Sequence, residues 1–143
     1  MADITITDTS CVPAASVVYA PQYPFGETVT AGMVVYLKAS DSKWYKAVAT
    51  SGGTAEQSGS GVVMGIAMCG GAASQPGVVA VGGTVTIGGT LAAGVFYYVS
   101  QTLAGKFSLP ADLGSGDYVS IIGYATTTAI LKVAPVATGL TLA

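Results

Sequence analysis

Thr90-Leu91-Ala92-Ala93-Gly94-Val95-Phe96-Tyr97-Tyr98-Val99 restates Thr28-Val29-Thr30-Ala31-Gly32-Met33-Val34-Val35-Tyr36-Leu37. The Thr, the Ala-Gly pair and a Tyr fall in register at an offset of 62 residues, the distance from Gly32 to Gly94. Each copy reads as a loop that ends in Ala-Gly and launches a β-branched, aromatic strand. The echo continues downstream. Tyr36 is followed by a turn and Lys43-Trp44-Tyr45, and Tyr98 by a turn and Lys106-Phe107. After a Gly/Ser-rich loop, Val63-Met64-Gly65-Ile66-Ala67 matches Ile121-Ile122-Gly123-Tyr124-Ala125, now at an offset of 58 residues. Residues 78–81 and 130–133 then close the two units. The repeat predicts an all-β fold, a compact β-barrel or β-sandwich. Two similar four-strand units, about 28–81 and 90–133, would each bury an apolar face that neither covers alone.

Composition agrees with strands and tight turns. Of 143 residues, 51% are apolar and 8% charged, against about 25% charged in ordinary domains. No charge lies between Glu56 and Lys106, and the chain has neither Arg nor His. Twenty glycines with abundant Ser, Thr, Ala and Val disfavour long helices. So few charges leave a monomer little to keep it apart from its neighbours, so a homo-oligomer is expected. Five lysines in a chain of net charge −2 cannot build a phosphate-neutralising patch, which argues against nucleic acid. No apolar run approaches the roughly 20 residues that span a bilayer, and the first residues lack the basic and apolar regions of a signal peptide. Cys11 and Cys69 form no Cys-x-x-Cys pair. Two incidental thiols or a single disulfide are both open readings.

Residues 1–25 read as an extended N-terminal arm ahead of a single β domain, 26–143. Ile4 and Ile6 alternate with Thr5 and Thr7, a pattern that could pair as an edge strand. Three of the six prolines, Pro13, Pro21 and Pro24, fall in this arm and exclude a central strand there. Its apolar anchors Val17, Val18, Tyr19, Tyr23 and Phe25 are the candidate inter-subunit contacts, and Val17-Val18-Tyr19 could pair briefly. Gly82-Gly83 interrupts two short strands, 78–81 and 84–87, as a bend or bulge. Lys38, Lys43 and Lys46 flank the hairpin that carries Trp44 and Tyr45. A basic, aromatic binding tip is one reading; lysines that solubilise a sheet edge are the ordinary one.

No catalytic constellation emerges. Without His, and with its two Cys 58 residues apart, the chain has no zinc or haem signature. No Gly-x-Ser-x-Gly or phosphate loop is present. Asp112 and Asp117 in Ala-Asp-Leu-Gly-Ser-Gly-Asp are the nearest thing to a paired carboxylate. They read as turn residues, with a hard cation as the lesser alternative. The expectation is a protein without cofactor, metal or enzymatic activity.

Several phrases resemble one family. They are Met-Ala-Asp-Ile-Thr-Ile at the start, Ala31-Gly32 with Tyr36, and Gly65-Ile66-Ala67. With them go Ala93-Gly94-Val95-Phe96-Tyr97-Tyr98-Val99-Ser100, Ala-Asp-Leu-Gly-Ser-Gly-Asp-Tyr-Val over 111–119, and Ile121-Ile122-Gly123-Tyr124-Ala125. Together they resemble the decoration, or cement, proteins of tailed bacteriophages, over residues 28–133. The arm departs from that pattern in its Pro and Tyr density. The resemblance implies an all-β structural protein of the virion, made in the host cytoplasm and bound to the outer capsid surface. Its partners would be the major capsid protein and further copies of itself, often as trimers, and its role to hold the shell against internal DNA pressure. A receptor- or glycan-binding fibre module using Trp44 and Tyr45 is a second reading, and a minor head or tail completion protein a third.

Overall fold

A computed structural model describes residues 12–87 and 91–143, with side chains from residue 16 onward. The predicted edge strand at Ile4–Ile6, and Cys11, lie outside the described residues. The strands are β1 (Val12–Tyr19), β2 (Tyr23–Pro24), β3 (Val34–Lys38), β4 (Lys43–Lys46), β5 (Met64–Ala67) and β6 (Pro76–Gly77). They continue as β7 (Val79–Thr86), β8 (Phe96–Val99), β9 (Phe107–Ser108), β10 (Tyr118–Ala125) and β11 (Ile130–Thr141). Among the described residues there is no α-helix, only two single 3₁₀ turns at Glu56–Ser58 and Pro110–Asp112. The fold is all-β, as the sequence predicts. An antiparallel sheet in the order β4-β3-β5-β7-β11-β10-β8-β9 curls into a half-barrel, β1 lies on β7, and β2 pairs with β6 apart from it.

That order reads outward from β7 and β11 in the same way on each side: closing strand, Gly-x-Ala strand, then the two strands of a hairpin. Backbone hydrogen bonds repeat with it. Gly32 N–H donates to Ala67 O and Gly94 N–H to Ala125 O, both at 2.8 Å. Ala67 N–H donates to Met33 O at 2.9 Å, and Ala125 N–H to Val95 O at 3.0 Å. The Gly-x-Ala glycines also share a reason. A Cβ on Gly65 would stand 2.3 Å from Ala80 O in β7, and one on Gly123 would stand 1.9 Å from Lys132 O in β11. In each unit the closing strand's backbone passes where a side chain would be.

Two cores result. The larger draws on both units: Val34, Tyr36, Met64, Ile66 and Ala80 meet Tyr97, Val99, Phe107, Ile122 and Leu131. The smaller gathers Phe25, Val29, Val35, Trp44, Ala67 and Val79. At most matched positions the faces are exchanged; the counterparts Met64 and Ile122 both line the larger core, where β10 has a register shift between Ile121 and Gly123. Val35, Trp44 and Ala67 line the smaller core, while their counterparts Tyr97, Phe107 and Ala125 line the larger. β7 shows where the exchange occurs. Val79 is in the smaller core and Val81 packs on it, yet Val85 and Ile87, of the same parity, are in the larger. A strand alternates its side chains strictly, so a parity change requires a bulge. It sits at Gly82-Gly83, where Gly83 has φ 81°. The two short strands predicted there are therefore one strand with an internal bulge.

The sheet's outer hairpins are laced together. Gly105, in the β8–β9 turn, accepts from Val34 N–H at 2.9 Å and donates to Ala47 O at 2.7 Å. Ala49 N–H donates to Ser100 O at 2.9 Å, and Tyr118 N–H to Ala49 O at 2.8 Å. These bonds occupy main-chain groups that a simple open sheet would leave bare.

The bulge makes a sharp stability prediction. A Cβ at Gly83 would stand 2.2 Å from Ser16 O, whereas at Gly94, with φ 80°, it would meet nothing within 4 Å. Gly94→Ala should cost only the left-handed strain, about 1–2 kcal/mol. Gly83→Ala should cost clearly more, because β1 must also move. Urea titration of both variants checks the order; equal losses would contradict the bulge assignment.

Candidate interaction surface

The predicted contact residues do not share one environment. β1 pairs with β7, from Val12 opposite Thr86 to Tyr19 opposite Ala80, through three register shifts. Ser16 supplies one kink with φ 51°. Among the described residues β1 pairs with no other strand, so its outer edge faces away from the sheet. Val18 and Tyr19 are exposed, at 56% and 47%, and Val17 is half-buried against the larger core. Tyr23 is half-buried against the smaller core and pairs with Gly77.

Phe25 is the correction. It is fully buried, with Gly71 and Gly77 so close that a Cβ on either would stand 2.9 Å from its ring. It plugs the smaller core and offers no surface to a second subunit. The physical reason is that the first unit's outward face needs a lid, and Phe25, which bridges to Trp44, supplies it. The candidate contact pair that remains open is Val18 and Tyr19 on the β1 edge.

Trp44, the centre of the fibre-module reading, is also fully buried. Its indole N–H has no acceptor among the described residues, and the ring packs in the smaller core with Phe25, Val35 and Val79. Tyr45 faces the other way. Its hydroxyl donates to Asp41 Oδ2 at 2.6 Å, and Lys38 Nζ stands 5.0 Å from its ring centroid. The Tyr45 bond, then the Lys43 amide and the Lys38 and Lys43 charges, hold the Asp41 carboxyl below the ordinary range; the same bond pushes the Tyr45 phenol up. The tip is therefore internally paired.

The carboxylates have a common use. Each of the five among the described residues accepts a backbone N–H: Glu27 from Lys46, Asp41 from Lys43, Glu56 from Ala39, Asp112 from Leu109, and Asp117 from Ser51 and Gly114. Glu27 also stands 3.8 Å from Lys46 Nζ. Asp117 is the most enclosed, 8% exposed, with both donors at 2.8 Å. It ties the 50–61 loop to the start of β10. Asp112 and Asp117 are thus turn and loop anchors. No group of three or more potential metal ligands occurs among the described residues. No helix there is long and apolar enough to cross a membrane.

One apolar surface has no counterpart in the sequence reading. Phe96 is 51% exposed, and its ring lies 5.4 Å from that of Tyr124. Tyr124 stands opposite Phe96 on β8 and Lys132 on β11; Ile121 stands opposite Tyr98 and Val136. These residues share the outer face of the second unit. The aromatic run at 96–98 could have signalled it, but a strand buried on both faces reads the same way.

Comparison of the chain with protein-family models, curated proteins and solved structures finds no match in any of the three.

Two outcomes follow from this geometry. Asp117→Ala removes two charge-assisted bonds from a buried site and should destabilise the fold by about 1.5–3 kcal/mol, read as a lower denaturation midpoint. Asp41 has a folded-state pKa lowered by the Tyr45 hydrogen bond, so its contribution to stability exists above the unfolded carboxyl range and is lost as pH falls through the folded value. In Tyr45→Phe, NMR titration should find the Asp41 carboxyl moved up towards its ordinary value.

Proposed function

We propose that this protein is a structural component of a tailed-phage virion that binds the outer capsid surface and bridges neighbouring capsid subunits. The observation that carries the reading is the β1 edge. A strand with one side unpaired among the described residues, beside exposed Val18 and Tyr19, is a template for adding a strand from another chain. Main-chain bonds would supply affinity there, and the two side chains would set register. The resemblance of residues 28–133 to decoration proteins names the partner, the major capsid protein, and implies trimers on the lattice. The five described carboxylates, each engaged with backbone amides, support a building element over a catalyst. Such a protein works by covering main-chain and apolar groups that the bare shell leaves open, and needs no cofactor.

The test is sedimentation of the protein with capsids of the phage that carries its gene. Val18→Asp with Tyr19→Asp should leave the melting temperature within a few degrees of wild type, because both side chains are exposed, yet lower capsid occupancy at least about tenfold. Wild-type occupancy by a folded double variant would remove β1 from the interface. Absence of binding by the wild type would remove the capsid reading itself.

A further inference from the structure

β7 carries a strand on each edge, and the two fit it unequally. Thr84, Val85 and Thr86 each have two partners, one in β1 and one in β11. Against β11 the pairing runs from Thr86 opposite Ile130 to Gly83 opposite Val133 without a shift. Against β1 the same stretch is matched through skips. Pro13 stands opposite Val85 and Ala15 opposite Thr84, which leaves Ala14 with no partner. A second shift, between Ala15 and Val18, lies across from Gly83 and answers the bulge. The skip at Ala14 has no such cause, because β11 pairs regularly with the same two residues of β7. That irregularity belongs to β1.

Little else holds β1. Ser16, Val18 and Tyr19 are exposed, and Ser16 takes a left-handed φ of 51°, which a residue with a Cβ adopts at a cost. Among the described side chains of β1, Val17 alone packs on a core. The chain beyond is fastened more firmly: Ala20 and Tyr23 pack on the smaller core, Phe25 is sealed in it, and exposed Pro21-Gln22 lies between. On its other edge β7 is held by β5 and β11.

We infer that β1 is a displaceable strand hinged at Pro21-Gln22, and that the β7 edge beneath it is a binding site for an extended, uncharged segment of another protein. The occupant's chemistry is read from the strand now in place. The main-chain donors and acceptors of β7 call for a strand. Neither β1 nor β7 contains a charged residue, and a charge brought beside them would lose its water. The seat of Val17 on the larger core calls for an aliphatic side chain there. Gly83, where a Cβ would stand 2.2 Å from Ser16 O, admits the occupant's carbonyl. A segment that meets these demands without the skip at Ala14 or the left-handed Ser16 makes ladder bonds that β1 forgoes.

This inference concerns β7 beneath β1 and stands apart from the capsid reading, which uses the outer edge of β1. A disulfide separates the two. A Cβ on Gly82 would stand 3.3 Å from Val18 Cβ, near the separation of about 3.5–4.5 Å in a disulfide. Val18→Cys with Gly82→Cys, in a chain carrying Cys11→Ser and Cys69→Ser, therefore ties β1 to β7 when oxidised. The probe is a fluorescent synthetic peptide of residues 12–22 carrying Ser16→Gly. It is offered at millimolar concentration, because a short tether holds β1 at about that effective concentration. The wild type should bind it saturably. The oxidised variant should bind at least about tenfold less, and dithiothreitol should restore binding. Binding that the disulfide leaves intact places the peptide outside β1 and overturns the inference, as does a wild type that binds none. Hydrogen exchange read by NMR on the wild type needs no variant to fold. In β7, amides that point to β1 should exchange at least about 100-fold faster than those that point to β11. Equal rates on the two edges overturn the inference as well.

Discussion

Side chains on a strand alternate between faces, and this constraint shapes the whole molecule. Two similar units joined edge to edge through antiparallel closing strands would, in a regular sheet, turn their equivalent faces to the same side. Each unit would then compete for the same side of the sheet. The bulge at Gly82-Gly83 removes the conflict. Before it, the odd-numbered residues Val79 and Val81 serve the smaller core; after it, Val85 and Ile87 serve the larger. The face that the first unit turns inward is therefore the one that the second turns outward. The larger core forms because of that exchange, and the curl of the sheet brings the two faces together.

The exchange also fixes what must be covered elsewhere. It leaves one outward face at each end of the stack. On the first unit the chain covers that face itself: Ala20 and Tyr23 pack on it, and Phe25 enters between Gly71 and Gly77. On the second unit the equivalent treatment is missing among the described residues. Charge is scarce over the whole chain, at 8% of residues, and the described acids all hold backbone amides. Ser and Thr hydroxyls can cap main-chain groups but, being neutral, cannot repel a neighbour.

The repeat was legible because it rests on backbone requirements. Gly65 and Gly123 admit a neighbouring strand, and Ala-Gly places an N–H opposite Ala67 or Ala125, so residue identity is constrained wherever the main chain is. Burial was less legible, for two physical reasons. Phe25 sits in a Pro-dense segment that reads as an arm, because local propensity says nothing of a cavity that forms only when β4 and β6 meet. Trp44 lies between Lys43 and Tyr45 and reads as part of an exposed tip, although adjacent residues on a strand face opposite ways. The exchanged faces were hidden for a deeper reason. Val34 and Phe96 occupy equivalent positions with similar apolar character. Only the parity change at Gly82-Gly83, on a strand to which neither residue belongs, separates the buried one from the exposed one.

The two open surfaces differ in kind, and the difference bears on what each could recognise. The β1 edge offers main-chain donors and acceptors, which any extended segment can satisfy; its selectivity must come from Val18, Tyr19 and the kink at Ser16. The three register shifts against β7 make that edge irregular, which opposes indiscriminate strand addition and favours a partner shaped to it. The Phe96–Tyr124 face offers apolar area with two phenol side chains, Tyr98 and Tyr124, so shape and a few directed bonds would set its selectivity. An irregular edge suits a partner whose shape matches its kinks, and an apolar face suits one that can match its contour. The edge works through main-chain groups and the face through side chains, so a contact at either leaves the groups of the other available.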